Sequence, residues 1–375
     1  MATMSSKGRR MFTGTDTSGE LPVDYRFYPA RRGNRHLVVV FANFLVPEDY
    51  GWSNGVLNDL RANVLWIRDR FDGHNSYYLC RNMEFSIERS VIAVIDRFRD
   101  ALRLTNRDCT LIGSSKGASA ALYYGLKYDF RNIVAVAPQF AIGSYVRATH
   151  PRTARFMTGA GTGDDAVAAL DACLPDLVGQ ARNREANIYL FSSPADAQYE
   201  TQIKPYLLSF RDYDNFNFCM TDSPYVSDHT QVAGRNVPAI MGIVNLLIDG
   251  IAPRIGFVRN GYEDPAADRT ALDAYLATTA APGTWVSPPV VKASTSGEAV
   301  NFTGTARGAV TVQFWENGRY VGKTGVGADD TWAWMPDTLW SAGRHTLRTF
   351  ATNANGIESE RTTVTFTAAP VDVHV

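Results

Sequence analysis

The stretch CTLIGSSKGASAALYYGLKY (residues 109–128) decides how the rest of the chain is read. Cys109 to Ile112 are apolar or β-branched, as in a short buried strand. Small and aromatic residues at helical spacing follow from Lys116. Between them, Gly113-Ser114-Ser115-Lys116-Gly117 fits the pattern G-x-S-x-G. At a strand-to-helix turn this pattern puts the central serine on a sharp bend. The flanking positions must be small there, because the two backbones approach closely. Ser115 is therefore a candidate nucleophile. A competing reading is a Gly/Ser loop in which Ser114 or Ser115 caps the helix. The pattern G-x-x-x-x-G-K-[ST] of a phosphate-binding loop is absent.

Working outward, short β-rich runs alternate with helix-period segments from about residue 21 to 255. The predicted strands are DYRFYPA, HLVVVFAN, NVLWIRD, CTLIG, NIVAVAP, NIYLFSS and FNFCM. The predicted helices are SIERSVIAVIDRFRDALRLT, KGASAALYYGLKY, AQYETQIKPYLLSF and NVPAIMGIVNLLIDG. Apolar strands without in/out alternation, separated by amphipathic helices, imply an α/β fold with a mostly parallel sheet covered on both faces. Residues 141–185 break this rhythm with Gly, Thr and Ala, and read as an insertion or lid rather than core. Residues 1–20 read as a loose tail, and 256–284 as a linker with one short helix. From 285 to 370 the runs alternate apolar and polar between Asn-Gly and Gly-Arg turns, the pattern of an all-β, hairpin-built sandwich.

A serine hydroxyl is a weak nucleophile at neutral pH. It needs a base within hydrogen-bond reach and an acid to orient that base. After the G-x-S-x-G turn the expected chain order is acid, then histidine. Among six histidines, His345 falls in the sandwich and His374 in the tail, while His36 opens an early strand. His74 and His150 precede the expected position. His229 follows the last predicted strand and precedes the last long helix, where the base belongs. Asp196, just after NIYLFSS, is the candidate acid. It competes with a helix-capping role there, and Glu200, Asp222 and Asp228 are substitutes. Two backbone N–H groups should stabilise an oxyanion: that of Lys116, and that of Asn43 or Phe44 after HLVVVFAN. The Lys116 side chain reads as a solvated helix-start cation or a contact to an anionic or hydroxyl-rich substrate. Arg68 and Asp69 end a strand at the ligand-binding edge; of the two readings, lining the pocket or pairing with each other, the pair is expected. Trp52, Tyr77 and Tyr78 are candidates for stacking on a sugar, against ordinary loop packing.

Composition narrows the function classes. The 375 residues suffice for two domains, and the apolar share of 45% with 20% charged residues is that of a globular protein. The net charge of −1 gives no electrostatic reason to expect nucleic acid or an anionic membrane. HLVVVFANFLV and VPAIMGIVNLLIDGIAP read as too short or too interrupted to span a bilayer. The N-terminus has no apolar segment of the signal-peptide kind, so a cytoplasmic location is expected, against the usual extracellular setting of such sandwiches. Cys80, Cys109, Cys173 and Cys219 lack metal-type spacing and are expected as free thiols. Neither a metal nor a cofactor is called for, and the oligomeric state is left open.

Two segments, VLWIRDRFDGHNSYYLC and LIGSSKGASAALYYGLKY, resemble α/β-hydrolase-like proteins. Within that group the likeness is to bacterial capsular polysaccharide biosynthesis proteins and to accessory-secretion proteins that O-acetylate glycans. It covers roughly residues 35–250. It implies a Ser115 nucleophile, a His229 base and an acidic partner acting on acyl groups attached to sugars. The run from VTVQFWENGRY to FATNANGIES resembles bacterial immunoglobulin-like repeats, which serve as spacers or binding modules. The two readings to separate are a serine esterase or O-acyltransferase on a carbohydrate ester, and an inactive hydrolase-fold scaffold with a glycan- or protein-binding sandwich.

Overall fold

A computed structural model describes residues 10–44, 50–52, 55–159, 163–264, 267–281, 283–296, 299–336 and 340–368. The chain divides into two compact units, Met1–Glu263 and Asp264–Val375.

The first unit is built on one sheet. In chain order its elements are β1 (Phe12–Asp16), β2 (Val23–Tyr28), β3 (Leu37–Phe41), β4 (Asn63–Ile67), α1 (Ser86–Ala101), β5 (Cys109–Ser114), α2 (Lys116–Lys127) and β6 (Asn132–Val136). Then follow α3 (Ile142–Thr149), α4 (Pro151–Thr158), α5 (Asp164–Gly179), β7 (Asn187–Ser192), β8 (Asn215–Thr221), α6 (His229–Ile248) and β9 (Phe257–Asn260). The strand order is β1-β2-β4-β3-β5-β6-β7-β8-β9. The β1/β2 and β2/β4 pairs are antiparallel, and every pair from β4 to β9 is parallel. This is the α/β-hydrolase strand order, reached from the chain's own pairing.

The reason for burial on both faces is visible in the strands. Leu37, Val39 and Phe41 of β3 join one core with Leu65, Leu111, Ile133 and Ile188, covered by α1, α2 and α5. Val38 and Val40 point the other way and join Trp66, Ile112, Val134 and Tyr189 under α6. With a side-chain period of two, a strand apolar at every position must be covered twice. Each such side chain contributes roughly 1.5–3 kcal/mol of burial, before entropy is subtracted.

Several expectations are corrected. Phe12–Asp16, read as tail, is strand β1, paired with β2 from Phe12↔Phe27 to Asp16↔Val23. Phe257–Asn260, read as linker, is parallel to β8 and closes the sheet. Residues 141–185 are three helices rather than a lid outside the core: Val146, Met157, Leu170, Leu174 and Val178 are buried in the main core. Segment 197–210 is not an α-helix. It is a π turn over Tyr199–Ile203 followed by 3₁₀ turns over Lys204–Asp212, and Pro205 at its junction cannot donate a helical bond. Among the described residues, α6 is long and apolar enough to cross a membrane by length and composition. Here its Val232, Ile240, Val244 and Leu247 lie in the core under the sheet.

The second unit holds α7 (Thr270–Thr279) and seven described strands, β10 (Val290–Ser296), β11 (Ala299–Thr305), β12 (Thr311–Glu316), β13 (Arg319–Gly325), β14 (Thr331–Trp334), β15 (Gly343–Thr352) and β16 (Thr362–Ala368). They form two antiparallel sheets, β10-β11-β14 and β13-β12-β15-β16. Phe302, Phe314, Trp332, Leu347 and Phe366 fill their core. Asn317 (φ 48°) and Gly318 (φ 79°) supply the two left-handed residues of a tight hairpin between β12 and β13.

Candidate active site

Ser115 sits between β5 and α2 with φ 54° and ψ −125°, a conformation a side-chain-bearing residue adopts only under constraint. The constraint is tight packing on both sides. A Cβ on Gly113 would lie 2.1 Å from the Gly117 backbone, and a Cβ on Gly117 would lie 2.3 Å from the Phe41 carbonyl oxygen. Only glycine fits at both positions, so the turn aims the Ser115 side chain away from the sheet. The Ser115 N–H donates to the Val136 carbonyl at 2.8 Å and pins the bend to β6.

The bend brings together three of the residues singled out in the sequence. Ser115 Oγ lies 2.8 Å from His229 Nε2. His229 Nδ1 lies 2.7 Å from Asp196 Oδ2. His229 is the first residue of α6, whose cap is Asp228: the Asp228 carboxylate accepts from the Thr230 and Gln231 N–H groups. Asp196 follows β7 and has no exposed side-chain surface, while the His229 side chain is 21% exposed. The other Asp196 oxygen accepts from the Gln198 N–H at 2.9 Å. One carboxylate thus closes a local turn and holds the imidazole. With Asp196 on Nδ1, the proton resides there and Nε2 accepts from the serine hydroxyl.

The substitutes for Asp196 are occupied elsewhere: Glu200 pairs with Lys204, and Asp222 with Arg259. His36 is buried against Thr110, and His74 stacks on Phe156. His345 belongs to the second unit, where it bonds Glu316. His374 lies outside the described residues.

Ser115, His229, Asn43, Phe44, Trp52 and His150 line one cleft of about 380 Å³. That is the size of a small-molecule site. Lys116 is corrected. Its ammonium is fully buried and lies 2.6 Å from Asp69, with a second bond of 2.9 Å to Asn75. Burial pulls its pKa below the ordinary lysine value, against the opposing pull of Asp69. As the first residue of α2, Lys116 has a backbone N–H with no intrahelical acceptor. The expected Arg68–Asp69 pair does not form. Arg68 pairs with Asp24 at 3.2 Å, and Asp69 takes Lys116. Tyr77 and Tyr78 are fully buried, so they pack the loop rather than offering a stacking surface. Trp52 does reach the cleft.

One residue at the site escaped the sequence reading. Gln139, fully buried and three residues past β6, donates through Nε2 to Ser115 Oγ at 3.0 Å and to Gln198 Oε1 at 2.8 Å. Its side-chain amide oxygen Oε1 accepts from the Tyr77 hydroxyl at 3.1 Å. The available signal was position: ligands of parallel sheets gather beyond the carboxyl ends of the strands, and Gln139 follows one. The four thiols are free, as expected, and burial raises Cys80 and Cys109 to about 12.

No family model matches the chain, and no curated protein matches it. Solved structures are similar in part. A capsule O-acetyltransferase of Neisseria meningitidis serogroup A is 17% identical, with a TM-score of 0.48, over 61% of this chain and 97% of that one. A glycosylation-associated protein complex of Streptococcus agalactiae is 14% identical, with a TM-score of 0.49, over 63% of this chain and 46% of that one. A fluorophosphonate-binding serine hydrolase of Staphylococcus aureus is 11% identical, with a TM-score of 0.48, over 64% of this chain and 99% of that one. At these identities the assignment of the α/β-hydrolase fold rests on the strand order of the sheet itself.

Proposed function

We propose that the first unit is a serine acyl-transfer enzyme, an esterase or O-acetyltransferase, acting on acyl groups carried by a carbohydrate. The observation that carries this reading is the continuous chain Ser115–His229–Asp196 at 2.8 and 2.7 Å, opening on a cleft. In this reading His229 Nε2 takes the Ser115 proton as Oγ attacks the ester carbonyl carbon. Asp196 holds the imidazole and stabilises the imidazolium that forms. The Lys116 N–H and that of Asn43 or Phe44 receive the developing oxyanion. Each donor of this kind is worth on the order of 3 kcal/mol in the barrier. The tetrahedral intermediate collapses as His229 returns the proton to the leaving alcohol, leaving Ser115 acylated. Water as the next acceptor gives an esterase, and a sugar hydroxyl gives a transferase.

The carbohydrate half of the reading is supported by the sequence resemblance around GSSKG and by aromatic walls in the cleft. Trp52, Phe44 and Tyr145 there suit the apolar faces of a sugar ring. The test is a panel of sugar acetates, longer-chain sugar esters and p-nitrophenyl acetate, read by acid release. Turnover of a sugar acetate that disappears in both Ser115→Ala and His229→Ala is the expected result. Turnover that survives in Ser115→Ala overturns the assignment.

A further inference from the structure

The cleft contains a second imidazole that the acyl-transfer chain does not use. His150 stands at the corner where α3 meets α4, and Pro151 directly after it opens the next helix. Its backbone is held at both ends: its N–H donates to the Val146 carbonyl at 2.8 Å, and its carbonyl accepts from the Ala154 N–H at 3.0 Å. Its ring is held too, stacked on Phe44 at 3.9 Å between centroids with 15° between planes. Phe44 is in turn fixed by an edge contact with Tyr77 and by the Lys116 ammonium 5.3 Å from its ring. The imidazole is therefore fixed in place on the cleft wall shared with Ser115 and His229. Neither ring nitrogen has a hydrogen-bond partner among the described residues.

A rigid imidazole costs ordering entropy, and one without a partner leaves both of its polar atoms available to whatever fills the cleft. We propose that His150 is the alcohol subsite, hydrogen-bonding a hydroxyl of the sugar half of the substrate beside the ester under attack. The inference rests on the acyl-transfer reading above. A neutral imidazole offers one N–H donor and one nitrogen acceptor, which matches a hydroxyl that is itself both. Burial, aided by the nearby Lys116 charge, lowers the His150 pKa and keeps it in that neutral form. Position reinforces the chemistry. The ring stacks on Phe44, one of the two residues whose N–H is proposed to receive the oxyanion, and lines the same cleft as Ser115.

The test compares the parent with His150→Ala and His150→Gln on mono-O-acetylated methyl glucopyranoside and p-nitrophenyl acetate. Fluorophosphonate labelling of Ser115 is the control for an assembled triad. The ratio of kcat/KM for the sugar acetate to that for the aryl acetate is expected to fall about tenfold in His150→Ala. That is the effect of one lost hydrogen bond, felt mostly in KM. His150→Gln, which restores a donor and an acceptor, is expected to recover part of it. A ratio within about twofold of the parent's, or loss of labelling in both variants, overturns the inference. A parent that labels at Ser115 but does not turn over the sugar acetate also overturns it, while leaving the acyl-transfer reading standing. A parent that does not label at all removes that reading and the inference with it.

Discussion

Two buried aspartates flank Ser115, and they do opposite things. Asp196 follows β7 and Asp69 follows β4, both at the carboxyl edge of one sheet and both without exposed side-chain surface. Asp69 is saturated: it accepts from Lys116 Nζ, from the Ser76 N–H and hydroxyl, and from the Tyr77 N–H. Its cationic partner is as deeply buried as it is. Asp196 accepts from the Gln198 N–H and from His229, whose ring reaches the cleft. A carboxylate fully engaged with a fully buried ammonium has no proton to manage. It fixes backbone, here the left-handed pair Tyr77 (φ 57°) and Tyr78 (φ 60°). A carboxylate that holds an accessible imidazole can stabilise a charge that appears only during reaction.

The same substitution at the two positions should therefore separate activity from stability. Asp196→Asn is expected to lower kcat on p-nitrophenyl acetate by about 10⁴-fold through the wrong histidine tautomer. Its denaturant midpoint should report a stability within about 1 kcal/mol of the parent. Asp69→Asn is expected to destabilise the fold by about 3–5 kcal/mol, because the Lys116 ammonium is left buried without its counter-charge. Restoring neutrality in Asp69→Asn/Lys116→Met should recover a good part of that loss. If Asp69→Asn unfolds no more readily than Asp196→Asn in urea, the contrast between the two carboxylates is wrong.

Gly113→Ala and Gly117→Ala probe the turn between the two aspartates. Each methyl would meet backbone rather than a movable side chain, so each is expected to cost on the order of 3 kcal/mol or more. Soluble variants with parent-like melting would show that the turn has room the close approaches deny.

The smallest expected effect is titration of His36. Burial lowers its pKa from 6.5 to about 4, a nearby Asp108 opposing the shift. Between those values the unfolded chain binds a proton that the folded chain does not, so stability falls as pH falls through this window. The full loss is about 3 kcal/mol, complete near pH 4. In His36→Gln the slope of stability against pH between 6.5 and 4 should flatten; an unchanged slope assigns acid sensitivity to other groups.

Much of the first unit is legible from local pattern. Strands such as LVVVF and NIVAV carry β-branched residues on both faces, and G-x-S-x-G marks a turn whose glycines the backbone demands. Ser115 follows from that motif, and His229 and Asp196 from their order after it, Asp196 against Glu200, Asp222 and Asp228 as substitutes. What was missed depends on neighbours distant in sequence. Phe12–Asp16 and Phe257–Asn260 are strands because the sheet edges accept them, and each is too short and too polar in its surroundings to be read as a strand by itself. Lys116 reads as solvated because nothing local reveals Asp69, 47 residues earlier, waiting for it. Gln139 is an ordinary polar residue until Ser115 is placed against it. Residues 141–185 look like a lid because small residues are common there. One of them, Gly143, is small because a Cβ would lie 2.3 Å from the Val167 carbonyl oxygen of α5.

The central claim is that the Ser115 hydroxyl is activated by His229. The most direct measurement is mass-spectrometric mapping of a fluorophosphonate adduct on the parent and on two variants. The account predicts one adduct on the peptide carrying Ser115, none in Ser115→Ala, and labelling slowed by about 10³-fold or more in His229→Ala. A folded parent that takes no adduct, or an adduct that persists in Ser115→Ala, would contradict it.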